Sequence, residues 1–167
     1  GRRSLLYKAY LENPNADKNL VLHVLQKAED LAEKRMFGGP VCYQTGVYIA
    51  YIRRQDADPE VIEVLLLKAW GMDELDRAKL YAEYLVRPTL NQVVVQEILE
   101  DVACFENEFR RRNVYKAYMR NLNADPELLK PLIACLGRGD KDACDVFRDY
   151  IKSCAADVEV VEEIISA

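Results

Sequence analysis

The sequence predicts an all-α fold: an α-solenoid of about five antiparallel helix pairs spanning residues 1–167 as a single array. Three recurrences carry this prediction. A block reading aromatic-x-x-Tyr-aliphatic occurs five times, at Tyr7–Leu11, Tyr48–Ile52, Tyr81–Leu85, Tyr115–Met119 and Phe147–Ile151. Ten residues after each leading aromatic stands Asp17, Asp58, Asn91, Asp125 or Asp157. Apolar pairs follow three and four residues beyond that polar residue, and again at seven and eight. The repeats start at 7, 48, 81, 115 and 147, with spacings of 41, 33, 34 and 32 residues. A fixed period of this size is the signature of stacked supersecondary units.

Each unit is legible as two helices. Aromatic, Tyr and aliphatic at i, i+3 and i+4 share one stripe of a first helix, A. The Asp or Asn is the N-cap of a second helix, B, its side-chain oxygen accepting free amides of the first turn. Asp58-Pro59-Glu60 and Asp125-Pro126-Glu127 place proline at the first helical position and an acid near the positive end of the dipole. The apolar pairs, Val24/Leu25 and Leu65/Leu66 among them, give B its buried stripe. The A helices are expected near 3–13, 41–54, 74–87, 107–121 and 140–153, and the B helices near 17–36, 58–70, 91–104, 125–136 and 157–166. Gly38-Gly39-Pro40 ends the first B helix, whose extra length through Glu33-Lys34-Arg35 accounts for the 41-residue spacing. Gly71, and Gly137 with Gly139, mark the ends of two others. Gly46 costs its A helix modestly, and Pro131 is expected to kink or shorten its B helix. The aligned tyrosines read as packing residues between neighbouring hairpins, because stacking platforms for nucleobases would need exposed rings.

Composition narrows the chemistry. Half the residues are hydrophobic and 31% are charged, which is neither a disordered nor a membrane composition. No apolar run approaches the roughly 18 residues of a spanning helix. The single histidine, His23, lies at the edge of an apolar helix face and removes two-His metal sites and leaves no spare for a catalytic triad. Cys42, Cys104, Cys135, Cys144 and Cys154 show no C-x-x-C spacing and read as buried thiols of an intracellular protein in a reducing compartment, the cytoplasm being favoured. Gly137-Arg138-Gly139 is too short for a phosphate loop, and Arg138-Gly139-Asp140 is a chance tripeptide. Asp140, Asp142, Asp145 and Asp149 lack the Gly and closing Glu of a calcium loop; the first two open a helix instead. No enzyme, cofactor or metal is expected. The chain opens Gly1-Arg2-Arg3 without an initiator Met and reads as a processed chain or a segment of a longer one.

A five-fold helical hairpin of about 33 residues resembles the tetratricopeptide and pentatricopeptide solenoids in period and layout. The resemblance covers the whole chain and implies a right-handed superhelix. The tetratricopeptide signature Trp-x-x-Leu-Gly-x-x-Tyr is not present, and the one Trp, Trp70, lies late in a B helix. Tyr48-Ile49-Ala50-Tyr51-Ile52 partly resembles a pentatricopeptide A helix, but Ala-Asp stands where that family carries Gly near the turn. Family base-reading positions therefore do not transfer.

The net charge of −5 conceals a sorting by layer. With Arg2 counted beside the first A helix, the A layer holds 16 basic and 9 acidic residues, and the B layer 6 basic and 16 acidic. Dipole complementarity explains part of this, since Arg53, Arg54, Arg87, Arg120 and Lys152 occupy last turns of A helices. It does not explain Arg110-Arg111-Arg112 near an A-helix start, nor Lys116 one turn on. With Arg77, Lys79, Arg120, Arg148 and Lys152 these form a candidate basic strip for an acidic peptide or a phosphate backbone.

The function expected is a non-catalytic scaffold that presents an extended surface to a partner protein. The alternative is RNA binding along the A layer, with affinity falling steeply in salt. A third reading is a self-assembling module, because Val160-Val161-Glu162-Glu163-Ile164-Ile165 ends the chain without a polar cap and leaves an apolar end for a second copy. No membrane partner is expected.

Overall fold

The computed structural model describes residues 2–31, 34–36, 39–41, 43–136, 141–153 and 156–166. Among these are ten helices and one short ribbon. The A helices are α1 (Arg2–Leu11), α3 (Tyr43–Ile52), α5 (Glu74–Leu85), α7 (Glu108–Met119) and α9 (Lys141–Ile151). The B helices are α2 (Lys18–Ala28), α4 (Pro59–Ala69), α6 (Gln92–Ala103), α8 (Pro126–Leu136) and α10 (Val158–Ser166). Strands β1 (Lys34–Met36) and β2 (Gly39–Val41) pair antiparallel with Lys34 opposite Val41. All ten expected helices are present, so the described residues are all-α apart from this ribbon. None of the described helices is long and apolar enough to cross a membrane.

The chain divides into two compact units, residues 1–80 and 81–167, the division falling within α5. In the first unit α1 packs on α2 and α3, and α2 on α3, so consecutive hairpins share a core. In the second, α6 packs on α7, α7 on α8 and α9, and α8 on α10.

The repeat columns correspond to one recurring hydrogen-bond circuit. Tyr10, Tyr51, Tyr84, Tyr118 and Tyr150 each accept, through the phenolic oxygen, the backbone N–H seven residues on: those of Asp17, Asp58, Asn91, Asp125 and Asp157, at 2.8–3.1 Å. Those residues then cap the B helix: side chains accept from the backbone N–H of Leu20, Glu60, Val93, Glu127 and Glu159 at 2.9–3.1 Å. One such cap contributes about 1 kcal/mol. The tyrosine therefore ties the end of its A helix to the start of the following B helix. The leading aromatic lacks this duty. Tyr81 donates to Asp101 at 2.9 Å, while Phe147 fills the same column with no hydroxyl. Rings in both columns are buried from the second repeat onward, Tyr48, Tyr81 and Tyr118 completely, so they are packing residues and not exposed stacking platforms.

A second recurrence links neighbouring repeats. Arg54, six residues after its leading aromatic, donates Nη1 to the carbonyls of Leu11 and Asn13 at 2.8 and 3.0 Å. Asn121 holds the same position and donates to the carbonyls of Leu85 and Arg87 at 2.6 and 2.7 Å. In both cases the acceptors lie four and six residues after the leading aromatic of the preceding repeat. Carbonyls at a helix C-terminus have no partner inside the helix. The next repeat supplies it.

Several expectations are corrected. The first B helix ends at Ala28, not near 36, and the surplus residues enter the ribbon. Glu29 and Asp30 stand where the helix dipole disfavours acids, and Gly39 and Pro40 oppose helix beyond. The stacking length of a B helix is thus held near eleven residues while the insertion loops out. α8 runs without a break through Pro131, which sits on its exposed face. Cys104, Cys135 and Cys144 are exposed, not buried, because they lie off the apolar stripes. His23 is exposed, as its edge position implied. Cys42, Cys154, Gly38 and the stretch Gly137-Arg138-Gly139-Asp140 lie outside the described residues, as does the side chain of Asp142.

Burial sets an alkaline limit on stability. It raises the tyrosine pKa of Tyr51, Tyr115 and Tyr118 above the usual 10.0. The unfolded chain then loses these protons first, so between the two pKa values it binds fewer protons than the native state and stability falls with pH. Urea midpoints should be flat through neutrality with respect to these groups and decline as pH rises beyond about 10. A Tyr51→Phe/Tyr118→Phe variant, less stable at neutral pH, should show a shallower alkaline decline.

Candidate interaction groove

The A helices present one further stripe, at two residues before, one after and five after the leading aromatic. These positions are i, i+3 and i+7 and lie on one helix face. In the second unit they open a groove of about 400 Å³. Ala82 of α5, Val86 just after it, and Ala117 of α7 supply its apolar surface; Asn113 and Lys116 of α7, its C-cap Arg120, Glu83 of α5 and Asp145 of α9 supply its polar groups. Lys116 is only 5% exposed. Burying an ammonium is costly unless it is compensated. Carboxylates of Glu83 and Asp145 in the same groove provide opposite charge.

The nine residues of the expected strip fall in both units and differ in their local contacts. Arg77 and Lys79 belong to the first unit, where Lys79 Nζ lies 3.5 Å from Asp76. Asp76 is itself buried; desolvation, with the neighbouring charge of Asp73, pushes its carboxyl above the usual range. Arg110, Arg111 and Arg112 are consecutive, so their side chains diverge by about 100° each around α7. The Arg111 guanidinium donates to the Phe105 carbonyl at 3.2 Å and Arg112 pairs with Glu108 at 2.8 Å, while the backbone N–H of Arg110 donates to the cap Asn107 at 3.0 Å. Lys116 and Arg120 alone of the nine line the groove. Arg148 lies 3.0 Å from Asp145 and 3.7 Å from Asp149, and Lys152 is exposed at the end of α9.

Counting basic residues missed Glu83, Asn113 and Asp145. The repeat register finds Asn113 and Asp145, which share one column, as Lys116 shares another with Ala82; Glu83 lies outside these columns. Among the described residues no group of three or more His, Cys, Asp or Glu side chains is placed to hold a metal ion. Compared with known proteins, the chain matches no family model, no curated protein and no solved structure.

Proposed function

We propose that the chain is a non-catalytic interaction scaffold, a tetratricopeptide-like α-solenoid segment that holds an extended segment of a partner protein in the groove of its second unit. The observation carrying this reading is the groove itself: apolar Ala82, Val86 and Ala117 line it together with groups of both signs of charge. Such a surface suits a peptide that buries small side chains and offers both a carboxylate and an amine. The repeat columns support the solenoid, since the position that clamps repeat two to repeat one also clamps repeat four to repeat three. RNA binding along the A layer has less support, because Glu83 and Asp145 share the groove with the cations.

The test uses positions exposed at the surface. Arg120→Glu and Val86→Glu should leave helicity unchanged and weaken capture of a partner from native extract at least tenfold, whereas Lys18→Glu, in the first unit, should not. Retention of every captured protein by both groove variants rejects the groove as the contact surface. Salt-sensitive binding of single-stranded RNA that Arg120→Glu abolishes would favour the RNA reading instead.

A further inference from the structure

In the first unit, one exposed helix face carries large apolar side chains where its counterparts in the repeat do not. Six, nine and twelve residues after the cap Asp58 stand Val64, Leu67 and Trp70, which are 48%, 63% and 57% exposed. Residues three apart are neighbours on a helix surface. Trp70 is the C-cap of α4 and still has helical backbone angles, φ −59° and ψ −26°, so the stripe continues through it. The same columns hold His23, Gln26 and Glu29 in the first repeat and Glu97, Glu100 and Ala103 in the third, all of them exposed. The repeat therefore needs no apolar residue there. The core side of α4 is already supplied by Ile62, Leu65, Leu66 and Ala69. Scattered exposed apolar residues are ordinary, but a stripe of them that includes a tryptophan marks a contact surface.

Charge decides what fits it. Glu60 precedes Val64 by four residues and Glu63 precedes Leu67 by four, so both carboxylates border the stripe. Lys68, the base of α4, is engaged by Glu29 of α2. The rim is net acidic. A second copy meeting stripe to stripe would set Glu60 and Glu63 against like charges, and an anionic lipid surface would be repelled in the same way. The stripe runs about 9 Å along its helix, and a helix surface packs readily on the ridges of another helix. We propose that this face of α4 docks a basic amphipathic helix of a partner protein, whose apolar side chains cover Val64, Leu67 and Trp70 and whose lysines or arginines meet Glu60 and Glu63. The face shares no residue with the groove of the second unit, and it stands or falls separately from that reading.

Trp70 is the only tryptophan of the chain, so its fluorescence reports this face alone. Titrating the 167-residue chain with a synthetic peptide of leucine and lysine at amphipathic helical spacing should move the emission to shorter wavelength and saturate. The same peptide with glutamate in place of lysine should not. Leu67→Asp and, separately, Val64→Asp sit at exposed positions, and each should weaken the leucine–lysine peptide about tenfold or more. Glu60→Lys/Glu63→Lys should reverse the preference between the two peptides, and circular dichroism confirms that each variant keeps its helices. Arg120→Glu, in the groove of the second unit, should leave the titration unchanged. The proposal is overturned if the leucine–lysine peptide causes no shift, if both peptides shift the emission equally, or if Leu67→Asp and Val64→Asp both bind as the parent does. A shift on phosphatidylcholine vesicles with none on the peptide would assign the stripe to a lipid surface and overturn it as well.

Discussion

Arg54→Ala is expected to be the most damaging single substitution in the first unit, with a loss of about 3–5 kcal/mol from two charge-assisted bonds, one to a buried and one to a part-buried carbonyl. The guanidinium is 6% exposed and uses both its edges. Nη1 serves the Leu11 and Asn13 carbonyls, and Nε and Nη2 grip Asp56 Oδ1 and Oδ2, both at 2.9 Å. Alanine leaves the Leu11 carbonyl without its donor, strips the Asn13 carbonyl of one of its two donors, and opens a void between repeats one and two. Against a typical domain stability of about 5–15 kcal/mol, that is a large fraction. Lysine should recover only part of the loss, since a point charge cannot serve two carbonyls and a bidentate carboxylate together. Asp56→Asn is the informative contrast. Asp56 is 45% exposed, so its share of the pair is screened by water and its loss should stay within about 1 kcal/mol. Urea unfolding of the three variants should rank them Arg54→Ala, Arg54→Lys, Asp56→Asn in decreasing cost. Equal costs for the first and last would show that the ion pair, not the carbonyl clamp, holds the repeats.

The same site fixes the sign of an acid effect. The hydrogen bonds from Arg54 hold the Asp56 carboxyl below its usual 3.8. A lowered native pKa means the contribution of this pair is complete above that value and is lost as pH falls through the lowered one. In Arg54→Ala that portion of the acid response should vanish while the response of other carboxylates remains.

Most of the fold was legible from the sequence because its rules are local. A helix stripe needs only spacing, and a cap needs only Asp or Asn before an apolar run, so ten helices could be placed from the columns. The length of α2 was misread for want of the packing that limits it: nothing in Glu33-Lys34-Arg35 forbids helix, but B helices of about eleven residues are what the neighbouring hairpin covers. The clamp of Arg54 and Asn121 was hidden for a different reason. The two residues share a function and a register, but not a chemical class, so a search for similar letters passes over them. The groove was half legible. Charge counting found Lys116 and Arg120, yet burial of Lys116 and the placement of Arg110, Arg111 and Arg112 around α7 depend on which face each helix turns inward.

Tyr118→Phe against Tyr115→Phe tests the central claim about the repeat, that one column is read for its hydroxyl and the other for its ring. Both rings are buried, Tyr118 at 0% and Tyr115 at 3% exposure, so a hydrophobic ledger predicts nearly equal, small effects. The hydrogen bonds predict otherwise. The Tyr118 oxygen accepts the Asp125 N–H at 2.8 Å, and Asp125 in turn caps α8 through the Glu127 N–H at 2.9 Å. Phenylalanine removes the acceptor while its ring still shields the amide, so a donor loses its partner at a cost of about 1–3 kcal/mol. Loosening the cap residue puts part of the cap's own contribution, about 1 kcal/mol, at risk as well. Tyr115→Phe deletes a hydroxyl from the column where Phe147 already stands, and its effect should stay within about 0.5 kcal/mol. Chemical denaturation gives the difference directly, and amide exchange locates it: the Asp125 and Glu127 amides should exchange faster in Tyr118→Phe and unchanged in Tyr115→Phe. Comparable losses from both variants would mean that the tyrosines are aligned by packing alone and that the recurring bond at each A-to-B turn is a consequence of the stack. A loss confined to Tyr118→Phe makes the bond a cause of it, since it fixes the angle at which every B helix leaves its A helix and hence where the next repeat must dock.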